Sequence, residues 1–235
     1  MNQSCEKYKN ILAVDSSGNI LSVAAVNGDD IHYAETDAKM RQSELVMDLI
    51  DAQIKKAGLK PAGLDGVLCT GGPGSFTGLR IGYSLAKGLA LSLSIPFAAV
   101  PTLDCIALSE EQNGTVLAVI EARKNAYFYA FFREERLTPD KDGDPVQIAG
   151  EIREFKEKIT IIGPGSALLY ESLPQDLKDK AIIKHCQKGY AKELFFLAKK
   201  RNILDNENTC LYSGPEYIRK TDAEINLNGE TGTVL

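Results

Sequence analysis

The stretch that most constrains this chain is Gly71-Gly-Pro-Gly-Ser-Phe-Thr-Gly-Leu-Arg80, which continues as Ile81-Gly-Tyr-Ser-Leu-Ala-Lys-Gly-Leu-Ala90. A glycine-rich turn opens onto a helix with small residues at four-residue steps: Gly78, Gly82, Ala86 and Ala90. Glycine inside a helix costs roughly 1 kcal/mol relative to alanine. Three of them, Gly78, Gly82 and Gly88, are too many for a helix that only covers a core. Something must approach this backbone closely, either a ligand at its start or another helix along its side.

Strands and helices alternate around this stretch. Residues 11–14 form a short apolar strand that ends at Asp15, and Ser16-Ser-Gly-Asn19 reads as a turn. Residues 21–26 form a second strand, Asn27-Gly28 is a hairpin signal, and residues 31–36 form a third. A helix over residues 43–57 is closed by Gly58. Residues 65–70 form a buried strand, and residues 97–100 another, followed by a helix over 103–109. The order β-β-β-α-β-α-β-α predicts a mixed sheet with helices on its faces. Beyond a divide near residue 112 the pattern gives strands at 115–121, 126–133, 159–162 and 182–183, and a helix over 190–202. Residues 137–150 read as a polar loop, residues 215–220 as ordered, and residues 221–235 as a mobile tail.

On a helical wheel the apolar residues of helix 44–57 span an arc of roughly 220°, whereas a helix lying on its own sheet needs about 100°. That excess suggests a second apolar neighbour for this helix. In the next helix, Gly78, Gly82, Ala86 and Ala90 form one ridge, the pattern that lets a second helix pack at short distance. Two readings stand: an interface to another subunit, or a third layer supplied by the second lobe.

Composition excludes several classes. With 235 residues, 44% apolar and 25% charged, the chain makes one large domain or two small ones. A net charge of -5 suits nucleic acid poorly. The Lys199-Lys200-Arg201 cluster reads as charge that complements a helix C-terminus. Five scattered cysteines without a C-x-x-C argue for free thiols in a reducing compartment. The N-terminal residues do not resemble a signal peptide, and no apolar run is long enough to span a membrane, so a cytoplasmic, soluble protein is expected.

The catalytic motifs are few. The glycine stretch lacks the lysine of a P-loop, since Leu79 follows Gly78, and it does not fit G-x-G-x-x-G. It can form an anion nest or merely close a strand onto a helix. Asp15 has a place from which a carboxylate can hold Mg²⁺ beside a phosphate, although Asp also commonly starts turns. His32 and His185 stand about 150 residues apart, which argues against a His-based metal site. There is no G-x-S-x-G, and Cys69 reads as core.

The segments Ile11-Leu-Ala-Val-Asp-Ser-Ser17, Gly72-Pro-Gly-Ser-Phe-Thr-Gly-Leu-Arg-Ile-Gly82, Ala86-Lys-Gly-Leu-Ala90, Ala122-Arg123 and Pro215-x-Tyr217-Ile, with Arg219, resemble the bacterial TsaB (YeaZ) family. That family is a branch of the actin/hexokinase/Hsp70 ATPase superfamily. The resemblance implies an α/β actin-like fold of two lobes, residues 1–111 and 112–220, each with a mixed sheet flanked by helices. It implies a catalytically incomplete paralogue of TsaD, the subunit that transfers a threonylcarbamoyl group to tRNA. Pairing with TsaD through the two helices of the first lobe is expected, as are TsaE alongside, tRNA only through the complex, a homodimer in isolation, and no membrane. TsaD carries a metal-binding His-x-x-x-His where this chain has Ser43-Glu-Leu-Val-Met47. The interface residues are then Leu45, Leu49, Gly78, Gly82, Ala86 and Ala90. A vestigial site for ATP or ADP with Mg²⁺ falls on Asp15, Ser16, Gly72, Gly74 and Ser75. The chain departs from the family at Thr70-Gly71, at Glu121-Ala-Arg123, and at Asn125 and Ala126. Nothing in these residues supports peptide hydrolysis.

Overall fold

A computed structural model describes residues 8–109, 114–184 and 187–205, together with Gly214, Pro215 and Ile218. The rest of the segment 215–220, the tail 221–235, Cys5, Cys186, Cys210 and His185 lie outside the described residues.

The first sheet contains β1 (Asn10–Asp15), β2 (Ile20–Asn27), β3 (Asp30–Asp37), β4 (Gly66–Gly72) and β5 (Phe97–Pro101), in the order β3-β2-β1-β4-β5. The first three strands form an antiparallel meander, and β4 and β5 join in parallel beside β1. Parallel neighbours need crossovers. The helices α1 (Gln42–Lys56) and α2 (Phe76–Leu93) supply them. Helix α1 stops where Gly58 takes a φ of +68°. Ser75 caps α2 by accepting from the Gly78 N–H.

The second sheet repeats this plan. It contains β6 (Thr115–Arg123), β7 (Ala126–Phe132), β8 (Lys141–Gly143), β9 (Ile159–Ile162) and β10 (Ala181–Lys184), in the order β10-β9-β6-β7-β8. Read from the other edge, β6 takes the place of β1, β7 of β2, β8 of β3, β9 of β4 and β10 of β5. Helix α4 (Pro145–Ile152) stands where α1 does, and α5 (Ser166–Ser172) with α6 (Gln175–Lys178) where α2 does. This duplicated topology is the expected actin-like architecture.

One correction follows. Residues 137–150 are not a loop, because they contain β8 and most of α4. Asp144 caps α4 by accepting from Gln147 N–H at 2.8 Å, and Pro145 occupies its first position. The division at residue 112 separates the sheets but not the packing. Helix α3 (Thr102–Leu108) follows the first sheet yet packs on β6, and α7 (Ala191–Arg201) follows the second sheet yet packs on β1 and β2. These two helices fill the apolar core between the sheets, with Leu103, Ile106, Leu194 and Leu197 among its members. The outer face of the first sheet is covered by α1 and α2, and that of the second by α4, α5 and α6. No helix among the described residues is long and apolar enough to cross a membrane.

Candidate functional site

The β1–β2 turn is the point where most of the predicted site residues meet. Asp15 is 1% exposed, and its carboxylate accepts from four donors of this chain. Oδ1 accepts from the Ser17 N–H at 2.9 Å, the Ser17 hydroxyl at 2.7 Å and the Thr70 hydroxyl at 3.1 Å. Oδ2 accepts from the Tyr190 N–H at 2.8 Å, at the start of α7. Burial pushes the Asp15 carboxyl up from its ordinary value, against the pull of these donors. The carboxylate expected to face Mg²⁺ is therefore a knot that joins β1, β4 and α7.

The glycines explain themselves at the same turn. A Cβ on Gly78 would lie under 3.0 Å from the Ser16 carbonyl oxygen, closer than side chains approach backbone. A Cβ on Gly82 would lie 2.5 Å from Ser16 Oγ, and one on Gly74 2.6 Å from the Ser17 carbonyl oxygen. Ser16 Oγ donates to the Gly78 carbonyl at 2.8 Å, and the Ser75 N–H donates to the Ser17 carbonyl at 2.7 Å. Gln42 of α1 adds a bond to the Gly18 carbonyl at 3.0 Å. The element that comes close to α2 is the chain's own turn. This corrects the reading of Gly78, Gly82, Ala86 and Ala90 as a docking ridge: all four are buried toward the first sheet and its turn. The wheel identified the ridge, but periodicity cannot say which side of a helix faces its own sheet. Gly72, which ends β4, holds φ at +113°, a conformation suited to glycine.

The surface of the helix pair lies one step further round. Leu45 and Leu49 of α1 and Ile81, Leu85 and Leu89 of α2 are half-buried against the core beneath them. Met47 and Leu91 are 52% and 61% exposed. Glu44, Asp48 and Asp51 lie exposed along α1, whereas α2 has no acidic residue and carries Arg80 and Lys87. The result is an apolar ledge between an acidic and a basic flank.

A family model described as TsaD, tRNA N6-adenosine threonylcarbamoyltransferase, matches residues 36–227, most of the chain. A Bacillus subtilis protein named tRNA threonylcarbamoyladenosine biosynthesis protein TsaB is 29% identical over 227 residues, covering 91% of this chain and 96% of the relative. The chain belongs to the TsaB (YeaZ) branch of the TsaD family. A TsaB of Haemophilus influenzae is 31% identical over 134 residues, covering 55% of this chain and 56% of the relative. A solved Pseudomonas aeruginosa structure, described as an uncharacterized protein similar to peptidase YeaZ, superimposes with a TM-score of 0.78 at 20% identity, covering 90% of this chain and 100% of that one. At that identity the likeness speaks for the YeaZ fold alone.

Several features of the chain are not read from local sequence patterns. The tetrapeptide Gly-Pro-Gly-Ser occurs twice, at Gly72–Ser75 before α2 and at Gly163–Ser166 before α5, at matching places in the two sheets. Gly163 holds φ at +117°, almost the angle of Gly72. A Cβ on Gly165 would lie 2.8 Å from the Glu121 N–H nitrogen on β6, as one on Gly74 meets the turn after β1. A comparison of the chain with itself would have found this repeat. The approach to α7 was missed as well. The Gly189 N–H donates to Glu35 at 2.8 Å, the Tyr33 hydroxyl donates to the Gly189 carbonyl at 3.0 Å, and Ala191 N–H donates to Ser22 Oγ at 3.1 Å. Between the sheets, the buried carboxylate of Asp104 pairs with Arg136 and, at 2.7 Å, with Arg201. Arg201, expected only to complement a helix end, ties α7 to α3. These partners lie far apart in sequence, and no local pattern announces them.

Proposed function

We propose that this chain is a non-catalytic partner of a TsaD-type subunit in forming threonylcarbamoyladenosine in tRNA, a cytoplasmic reaction. The observation that carries the proposal is the apolar ledge formed by Leu45 and Leu49 of α1 and Ile81, Leu85 and Leu89 of α2, which the chain leaves half-buried. The names of the relatives support the pathway. The engagement of Asp15 by its own chain supports a structural rather than a catalytic role for the old nucleotide-site position. On this reading TsaE acts with the pair, tRNA meets the chain only within the complex, and the isolated chain self-pairs through the same ledge.

The test is co-expression with the TsaD and TsaE subunits of the same organism, with threonylcarbamoylation measured with and without this chain. Leu85→Glu should abolish co-purification with TsaD and leave the fold intact by circular dichroism. Unchanged pairing refutes the ledge as the interface. The rival reading is a nucleotide hydrolase that uses Asp15, Ser16, Gly72, Gly74 and Ser75 with ATP and Mg²⁺. Calorimetry with MgATP on the isolated chain distinguishes the two, since strong binding that is lost in Asp15→Ala with the fold retained would favour the hydrolase.

A further inference from the structure

A cavity of about 360 Å³ lies apart from the Asp15 turn and from the helix ledge. It opens at the far end of the first sheet, between the start of β1 and the last turns of α7. Its floor is the buried apolar set Ile11, Leu68, Phe195, Ala198 and Leu204. Protein interiors leave few spaces of this size unfilled. The walls show why this one stays open. Leu204 is seated against Gly66, where a Cβ would lie 3.0 Å from its Cδ1, and the Tyr8 hydroxyl donates to the Leu204 carbonyl at 3.2 Å. The Lys9 N–H donates to Asp65 at 3.0 Å, and the Gly28 N–H donates to the Lys9 carbonyl at 2.8 Å. The space is thus preformed, as small-molecule sites usually are.

The rim carries the charge that the helix end does not use. Of the trio that closes α7, Arg201 pairs with Asp104, and Lys200 lies 3.8 Å from Glu135. Lys199 has no carboxylate partner among the described residues; its Nζ stands 5.9 Å from the centre of the Phe195 ring, at the cavity. The Lys9 side chain, also on the cavity, pairs with no carboxylate among the described residues either. Two unpaired ammonium groups over an apolar floor suit an anion with an apolar body. An apolar cavity of about 150 Å³ takes benzene, so this one has room for a ring and a short acidic arm.

We infer that this cavity binds a small aromatic carboxylate, with its ring on the floor beside Phe195 and its carboxylate between Lys9 and Lys199. Asp29 and Asp205 also stand at the rim, which makes an amine the rival ligand. Binding here is independent of the proposed partner role.

The experiment uses the full chain with phenylpropionate, phenylpropionamide and phenethylamine as probes, each titrated by calorimetry and followed in proton–nitrogen correlation spectra. Phenylpropionate should bind with a Kd of about 1 mM or tighter and move the amides of Ile11, Leu68 and Ala198. The neutral amide should bind about fivefold more weakly, and the amine more weakly still. Lys9→Gln and Lys199→Gln, both at exposed positions, should each weaken phenylpropionate about fivefold with the fold unchanged. Ala198→Met, which fills the cavity, should abolish the shifts; should that variant fail to fold, the two lysine variants decide alone. The proposal is overturned if phenylpropionate leaves those amides unmoved, if phenethylamine binds more tightly than phenylpropionate, or if the folded variants bind phenylpropionate as the unaltered chain does.

Discussion

Gly78→Ala tests whether the glycine-rich stretch exists for the chain's own turn. In an ordinary exposed helix this change stabilises by roughly 1 kcal/mol. Here the new methyl falls under 3.0 Å from the Ser16 carbonyl oxygen. Ordinary contact begins near 3.4 Å, so either α2 or the turn must shift. The turn resists, because Ser17 is held by Asp15 from one side and by the Ser75 N–H from the other. Overpacking of this kind costs about 1–3 kcal/mol. A shift also stretches the Ser16 Oγ bond to the Gly78 carbonyl, worth about 1 kcal/mol. Set against the gain in helix propensity, the expected loss is about 2 kcal/mol. For a chain of this size that lowers the Tm by roughly 4–8 °C. Urea denaturation with unchanged m-value, checked by thermal scans, measures it. A Gly78→Ala chain as stable as the original, or more so, refutes the account of why glycine stands there.

The other predictions concern the buried charges and thiols. Asp104→Ala leaves Arg136 and Arg201 facing an empty site and should cost about 3 kcal/mol in urea denaturation; a loss under about 1 kcal/mol argues that the pairs are solvated. Asp15 has its folded pKa raised by burial, so the stability linked to its proton is full below the unfolded value of about 3.9 and is lost as pH rises through the folded value. The stability of the original chain relative to Asp15→Asn should therefore fall as pH rises above about 4; a difference that grows with pH shows that the four donors outweigh burial. Burial also pushes the Cys69 and Cys105 thiols up, so neither should react with a thiol reagent in the folded chain, and both should react in urea.

Local rules reached far into this fold and stopped at definite places. The meander and both crossovers of the first sheet follow from short apolar runs, from Asn27-Gly28 and from Gly58. The error at residues 137–150 came from counting Asp144 and Pro145 as loop composition. An aspartate directly before a proline, with Ile148, Ala149 and Ile152 spaced on one side, is equally the start of a helix. Leu45 and Leu49 lie half-buried against the core. The small-residue ridge is buried, and the close neighbour at Gly78 and Gly82 is a turn that lies more than 50 residues earlier in the chain. A wheel records only angles, and the identity of the close neighbour is a tertiary fact. The same holds for Tyr190 at Asp15 and for Arg201 at Asp104.

The duplication explains why the ledge belongs to the first lobe. Both lobes use Gly-Pro-Gly-Ser to bring the end of a strand and the start of a helix against the hairpin beside it, with nearly equal φ at Gly72 and Gly163. Beyond that point they diverge. The helix after the first copy runs 18 residues, about 27 Å, and the one after the second runs 7 residues, about 10 Å. Both helices cover their own sheet, and the longer one also carries the half-buried row Ile81, Leu85 and Leu89. The hairpins diverge too. The first is closed by Ser75 from one side and Tyr190 from the other, while Arg123, Lys124 and Asn125 at the tip of the second are exposed. The rigid turn holds the long helix, and the long helix carries the ledge. On the proposed partner role, loosening that turn at Gly78 should weaken TsaD binding as well as folding, even though Gly78 itself is buried against the turn.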